Sequence, residues 1–288
     1  EIHVHDSDFS DWFDHEEAEW SVSEILYRSS NVGTILWAQE IGASLLHNKL
    51  QKFGLGRKSE LNFPGEANGI LLPVEKWSGT SLPTIAIGQG VSVTPLQMLT
   101  AYATLANRGL KPAPTLIRSM GNNVDMTFES LKTQPERIIE SQTADSLVQI
   151  IETVVSSGTG RNAQVPGYRV AGKTGTAWKP QLGGYGEEKE DRRYVVSFAG
   201  FFPVDDPEIV ALVVVDEPSS NADSGGKAAA PIFADFAKFA VRQLRIPSEN
   251  EKIDPTSSER VLAITSIQAG LLNSFSSELP NNGFDEEV

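Results

Sequence analysis

The chain has 288 residues, 40% of them hydrophobic and 22% charged, enough to bury a substantial core and unlike a disordered tract. Its net charge of −14 sits at the ends: residues 1–27 hold nine acids and no Lys or Arg, and residues 247–288 hold eight acids against two bases. No cluster of Lys and Arg stands ready to replace counterions on phosphates, which sets nucleic-acid binding aside, and the lack of cysteine removes disulfides and thiolate metal sites.

The opening "EIHVHDSDFSDWFDHEEAEW" has acids where a signal peptide needs a positive and then an apolar segment. Residues 1–20 therefore read as an acidic arm leading into the domain. His3, His5 and His15 with Asp6 and Asp8 are metal-ligating residue types, but no second shell accompanies them and no metal is assigned. In "WSVSEILYRSSNVG", Ser21 with Glu24 three residues on is a capping box for a short helix through about Arg28. A second helical pattern runs from Val32 to Ile41, and a third, "SLLHNKLQKFG", closes on Gly54. "LNFPGEANGILLP" is loop by its Pro and Gly. "TPLQMLTAYATLANRG" has Thr94 as cap, Pro95 in the first turn and Gly109 as stop; "SQTADSLVQIIETVVSSGTG" repeats that grammar from Ser141 to Gly158.

The period then changes. Tyr168 to Trp178, Tyr194 to Phe202 and Ile209 to Val215 are β-branched and aromatic runs, the last two joined by "PVDDPE" as an antiparallel hairpin. A final helix, "APIFADFAKFAVRQLRI", carries Ile232, Phe233, Phe236, Phe239 and Ala240, a stripe expected to pack on that sheet. The fold class is α+β, with helices on an antiparallel sheet. Three strands are few for so much helix, so the first strands are expected to lie outside this chain. The body of the domain is read as residues 21–246, and the Ser-, Glu- and Asn-rich residues 247–288 as an acidic, mobile tail.

The chemistry concentrates in "RVAGKTGTAWKP". On a strand edge, Lys173 offers a cation, the hydroxyls of Thr174 and Thr176 can donate to a carboxylate, and Gly175 removes a side chain so that a ligand can lie along the backbone. The N–H of Thr176 suits an oxyanion. In "SSN", Ser29 and Asn31 flank one residue at a helix junction, where a hydroxyl can relay a proton and an amide can hold a peptide group. Both are also ordinary capping residues, and Lys-Thr-Gly strings arise by chance; the two motifs in this order are what carries weight. Ser-x-Asn followed by Lys-Thr-Gly is two of the three signatures of penicillin-recognising serine enzymes.

With "FGLG", "FPGE" and "IGQGVSVTPLQMLTAYATLANRG" added to "SSNVGT" and "VAGKTGTA", residues 20–246 resemble the transpeptidase domain of class B penicillin-binding proteins, in particular the cell-division type. The resemblance implies a penicillin-binding/β-lactamase-like transpeptidase fold and an enzyme that cross-links peptidoglycan by serine acyl transfer on D-Ala-D-Ala stem peptides. It implies that Ser29 passes the proton to the departing amine and Asn31 holds the substrate amide. Lys173 then supplies positive potential, Thr174 and Thr176 bind the terminal carboxylate or its β-lactam counterpart, and the Thr176 N–H forms half of an oxyanion hole. β-Lactam antibiotics and divisome membrane proteins are the implied partners, no cofactor is expected, and the implied place is the extracytoplasmic face of the bacterial cytoplasmic membrane, anchored by an N-terminal helix outside this chain.

The third signature, Ser-x-x-Lys, lies in that family about fifty residues before Ser-x-Asn, which here falls before Glu1. The nucleophile and its helix are thus expected upstream, and residues 1–288 alone are expected to be inactive. Ser224-Gly225-Gly226-Lys227 is the one literal match, and it reads as a decoy, because a Gly-Gly insert disfavours the helix that must place serine and lysine on adjacent turns. The alternatives are a non-catalytic remnant or binding module that keeps the carboxylate receptor, and a β-lactam hydrolase, for which no water-activating base can be named. "GTGRNA" imitates a dinucleotide fingerprint but follows a helix instead of a strand, and "GGYGEEKEDRR" reads as a loop between strands.

Overall fold

A computed structural model describes residues 1–59, 61, 63–116, 135–182, 184–185, 191–219 and 222–249. Residues 1–244 form one compact unit; of a second, residues 245–288, only 245–249 are described. The apolar run "RVLAITSIQAGLL" and most of the C-terminal tail lie outside the described residues, as does the middle of the "GGYGEEKEDRR" loop.

The first elements are a hairpin, β1 (Ile2–Val4) and β2 (Ser7–Phe9), paired antiparallel with His3 opposite Asp8. Helices α1 (Val22–Arg28), α2 (Asn31–Ile41), α3 (Ala43–Lys52), α4 (Ser81–Ala86) and α5 (Pro95–Ala106) follow. Two short strands, β3 (Leu110–Lys111) and β4 (Glu136–Arg137), pair antiparallel before α6 (Ser141–Ser156). The main sheet has the order β5 (Ala171–Trp178), β6 (Tyr194–Phe202), β7 (Ile209–Asp216), antiparallel throughout, and α7 (Ala229–Gln243) closes the unit.

The start signals act as their chemistry requires. The Ser21 hydroxyl accepts the Glu24 N–H while the Glu24 carboxylate accepts the Ser21 N–H, and Thr94 with Gln97 repeats the arrangement at α5. At α6 the cap is Glu140 and not Ser141, which is the first helical residue, and no side chain caps that terminus.

Successive side chains of β6 point to opposite faces of the sheet. Phe201 lies with Ala171 and Ile151 in a core completed by Tyr102, Leu105 and Val148, so α5 and α6 cover that face. Phe198 and Phe202 point the other way and meet Phe233 of α7 edge-on, with ring centroids 4.7 Å and 5.6 Å apart. The aromatic stripe of α7 does not pack on the sheet as its sequence suggests. Phe233 is fully buried, but Ile232, Phe236 and Phe239 are exposed, and the face turned to the sheet is otherwise Ala230, Ala234, Ala237, Ala240 and Val241. Large residues from the sheet and small ones from the helix fill one layer, leaving no room for three more large side chains.

Candidate functional site

The Ser29–Asn31 junction is a two-residue turn between abutting helices. Ser29 ends α1 in the left-handed conformation, φ 59° and ψ 47°, with its N–H turned back to the carbonyls of Ile25 and Leu26. For a residue with a Cβ that conformation costs about 1–2 kcal/mol. Ser30, which is buried, caps α2 by accepting the Gly33 N–H at 3.0 Å, and Asn31 is the first residue of that helix.

Lys173 lies on the same face of β5 as Ala171, two positions away, and therefore on the side where α6 and α1 gather. Its Nζ donates to Ser29 Oγ at 2.8 Å and to the Thr174 carbonyl at 3.1 Å. Burial pushes the Lys173 pKa down to about 8. At neutral pH the group is still mostly an ammonium, which can only donate, so the Ser29 oxygen is the acceptor and its own proton is free to point elsewhere.

β5 is an edge strand of its sheet. Lys179 N donates to the Arg193 carbonyl at 2.7 Å, one step beyond the Trp178–Tyr194 pair. In an antiparallel ladder bonding positions alternate, so odd-numbered residues of β5 bond to β6 and Thr174, Thr176 and Trp178 turn their backbone groups to the open edge. The Lys173 contact to the Thr174 carbonyl fits this phase. The Thr174 and Thr176 hydroxyls already have partners: Thr174 Oγ1 lies 2.8 Å from Thr159 Oγ1, and Thr176 Oγ1 accepts the Gly225 N–H at 3.2 Å. A Cβ on Gly175 would stand 2.5 Å from Ser197 Oγ, so the space above this residue is already occupied from the neighbouring strand.

Ser224 to Lys227 form the turn that leads into α7. The Ser224 carbonyl accepts the N–H groups of Lys227 and Ala228, each at 3.0 Å, and the Lys227 ammonium is drawn to Asp223 at 2.8 Å. Gly225 sits so close to the sheet that a Cβ would come within 2.3 Å of the Ser197 carbonyl and 2.6 Å of the Gly175 carbonyl. The Gly-Gly pair thus lets the loop lie against β5, with Asn162 Nδ2 holding the Gly226 carbonyl at 2.8 Å.

Asn31 is not turned to Lys173 through any hydrogen bond; its Nδ2 donates to the Ser10 carbonyl at 3.0 Å. Asp11 accepts from the Ser30 hydroxyl at 3.0 Å and from the Val32 N–H at 3.1 Å, and lies 2.9 Å from His15 Nε2. The Glu16 carbonyl and then the Asp11 carboxylate raise His15 above its ordinary value. The other amino-terminal histidines form separate pairs, His3 with Asp8 and His5 with Asp6, and no group of three or more metal-ligating side chains occurs among the described residues.

The structure therefore joins Ser29 to Lys173 and places Thr174 and Thr176 on the adjoining edge. It also adds four neighbours whose part in the site no motif indicated: Asp11, Ser30, Thr159 and Gly225. Thr159 stood inside "GTGRNA", whose glycines imitated a dinucleotide fingerprint and gave no pointer to a hydroxyl beside β5. Asp11 carried no local signal, being one of eight acids in residues 1–20.

The match to the penicillin-binding protein transpeptidase domain covers residues 2–238. Penicillin-binding protein PbpB of Mycolicibacterium smegmatis is 36% identical over 256 residues, 85% of this chain and 39% of that protein. Stage V sporulation protein D of Bacillus subtilis is 36% identical, over 80% of this chain and 35% of that protein, and peptidoglycan D,D-transpeptidase FtsI of Escherichia coli is 30% identical, over 80% and 37%. The chain thus spans less than half the length of these relatives. Among solved structures, penicillin binding protein 3 of Mycobacterium tuberculosis complexed with aztreonam superimposes with a TM-score of 0.72 at 33% identity, over 83% of this chain and 55% of that one. Helices on an antiparallel sheet, an edge strand bearing Lys-Thr-Gly against a Ser-x-Asn turn, and these likenesses agree, and the chain belongs to the penicillin-binding protein transpeptidase domain family.

Proposed function

We propose that this chain is the greater part of the catalytic domain of a peptidoglycan D,D-transpeptidase acting on D-Ala-D-Ala stem peptides. The observation that carries this reading is the 2.8 Å bond from Lys173 to Ser29, which unites the two motifs across 144 residues of sequence. In the proposed reaction a serine hydroxyl from a Ser-x-x-Lys helix outside these residues attacks the penultimate D-Ala carbonyl carbon. The peptide C–N bond breaks, the departing D-Ala nitrogen takes a proton through Ser29, and an acyl ester remains. An amine of a neighbouring stem then attacks that ester, forming the new amide and returning a proton to the serine.

In this scheme Lys173 holds the Ser29 oxygen and adds positive potential where the substrate carboxylate and oxyanion gather. The carboxylate is received by the Thr174 and Thr176 hydroxyls, each of which retains a proton to donate or share beside its present partner. The outward N–H of Thr176 is positioned for the oxyanion, and Asn31 holds the substrate amide. β-Lactams, which two structural neighbours hold as complexes, are the proposed inhibitors, and membrane proteins of the division machinery the proposed partners. A cross-linking substrate outside the cell places the domain on the extracytoplasmic face of the membrane; no helix among the described residues is long and apolar enough to cross one.

Labelling with a fluorescent penicillin tests the reading. Residues 1–288 alone should take no covalent label, and the polypeptide translated from the reading frame upstream of Glu1 should take it on the serine of a Ser-x-x-Lys run. Lys173→Ala in that polypeptide should slow acylation by roughly two to three orders of magnitude, the usual loss when one electrostatic donor is removed. Label on Ser224, or an unchanged rate after Lys173→Ala, would overturn the assignment.

A further inference from the structure

Four hydrogen bonds tie residues 10–12 to the segment from Arg28 to Val32. The Asp11 carboxylate takes the Ser30 hydroxyl and the Val32 N–H, the Ser10 carbonyl takes Asn31 Nδ2, and Trp12 Nε1 donates to the Arg28 carbonyl at 2.9 Å. The Asp11 side chain is only 3% exposed, and His15 closes its remaining side at 2.9 Å. A carboxylate so enclosed persists only when its oxygens are satisfied, and three of its partners here are a hydroxyl, a backbone N–H and an imidazole. This is more than a helix cap, since Ser30 already fills that place through Gly33.

What these contacts fix is the middle of the Ser-x-Asn motif. Ser30 is the residue between Ser29 and Asn31, and Val32 directly follows them, so one carboxylate grips the turn on both sides of Asn31. A backbone carbonyl can only accept, so Ser10 takes the NH2 end of the Asn31 amide and leaves Oδ1 facing away, where it accepts no hydrogen bond among the described residues.

We infer that Asp11 is a positioning residue of the site: by holding Ser30 and Val32 it sets the Ser29–Asn31 turn, and with it the orientation of the Asn31 amide and of the Ser29 hydroxyl that receives Lys173. The inference rests on the transpeptidase reading for its ligand but not for its geometry. Acylation by a fluorescent penicillin is measured in the polypeptide that carries the nucleophile, and the side-chain amide resonances of Asn31, identified by their loss in Asn31→Asp, are followed by 15N–1H spectra of residues 1–288. Asp11→Ala should move those resonances and lower the acylation rate constant about 10- to 100-fold, the scale of a small misplacement of a positioned group. Asp11→Asn keeps the shape and one acceptor oxygen and should restore part of both; it also serves if Asp11→Ala does not fold. Ser21→Ala breaks the cap of α1 without touching the turn, so it should lower the melting temperature yet leave the resonances and the rate in place. The proposal falls if Asp11→Ala and Asp11→Asn leave the Asn31 resonances unmoved, or if Ser21→Ala slows acylation as much as Asp11→Ala. If the unaltered polypeptide takes no penicillin, the transpeptidase reading fails, and the resonances alone still decide whether Asp11 orients Asn31.

Discussion

Ser29 joins two properties that can be separated by substitution. Its hydroxyl receives Lys173, while its backbone is held left-handed at the end of α1, where glycine fits without cost. Ser29→Gly should therefore keep or raise thermal stability, by up to about 1 kcal/mol, while removing the proposed proton relay. Ser29→Ala should remove the relay and keep the backbone cost. Melting curves and penicillin acylation rates on the two variants check this: both should acylate slowly, and glycine should be the more stable. The hydroxyl is what the proposed chemistry uses, and the strained backbone is what aims it.

At the scale of an element, α7 makes its contribution through one aromatic side chain. Phe233→Ala would empty a fully buried site between Phe198 and Phe202 and should cost about 3–5 kcal/mol. Phe236→Ala, at a residue that is 44% exposed, should change urea unfolding of the same chain by no more than about 0.5 kcal/mol. Equal losses would restore the arrangement that the sequence suggested. Periodicity showed that α7 has an apolar side but not which part of it faces the sheet, because that is settled by Phe198 and Phe202 on another element. By contrast α1, α5, β6 and the β6–β7 hairpin were legible almost residue by residue, since capping boxes, proline in a first turn and runs of β-branched residues are local signals. The β1–β2 hairpin was hidden because its alternation places His, Ser and Asp between Ile, Val and Phe, and charge made the whole stretch read as an arm. In the site, Ser29, Lys173 and the two threonines could be named from motif order; Asp11 and Thr159 could not, because their roles exist only through contacts with distant segments.

For the whole molecule, Lys173 links the site to global stability. Its pKa is about 8 in the folded chain against an ordinary 10.5, so below about pH 8 both folded and unfolded chains carry the proton and the cost of burying the cation is fully present. Between about pH 8 and 10.5 the unfolded chain binds more protons, and stability should rise with pH, by at most about 3 kcal/mol. The gain should be smaller in practice, because Lys173 keeps part of its surface open to water. Acylation should move the opposite way, falling as pH passes about 8 and the ammonium is lost. Urea unfolding and acylation measured across this range should separate in sign, and Lys173→Met should flatten the stability profile.

The bond between Ser29 and Lys173 also bears on how the protein comes into being. It closes a loop of 144 residues, and contacts this distant in sequence form only after much of the chain entropy has been given up, at about 0.6 kcal/mol for each doubling of loop length. A nascent chain that has made α1 and α2 but not yet β5 has the proposed proton relay without its cation. A partly folded chain therefore lacks the receptor proposed for the antibiotic, and Lys173 acquires its lowered proton affinity only once it is buried.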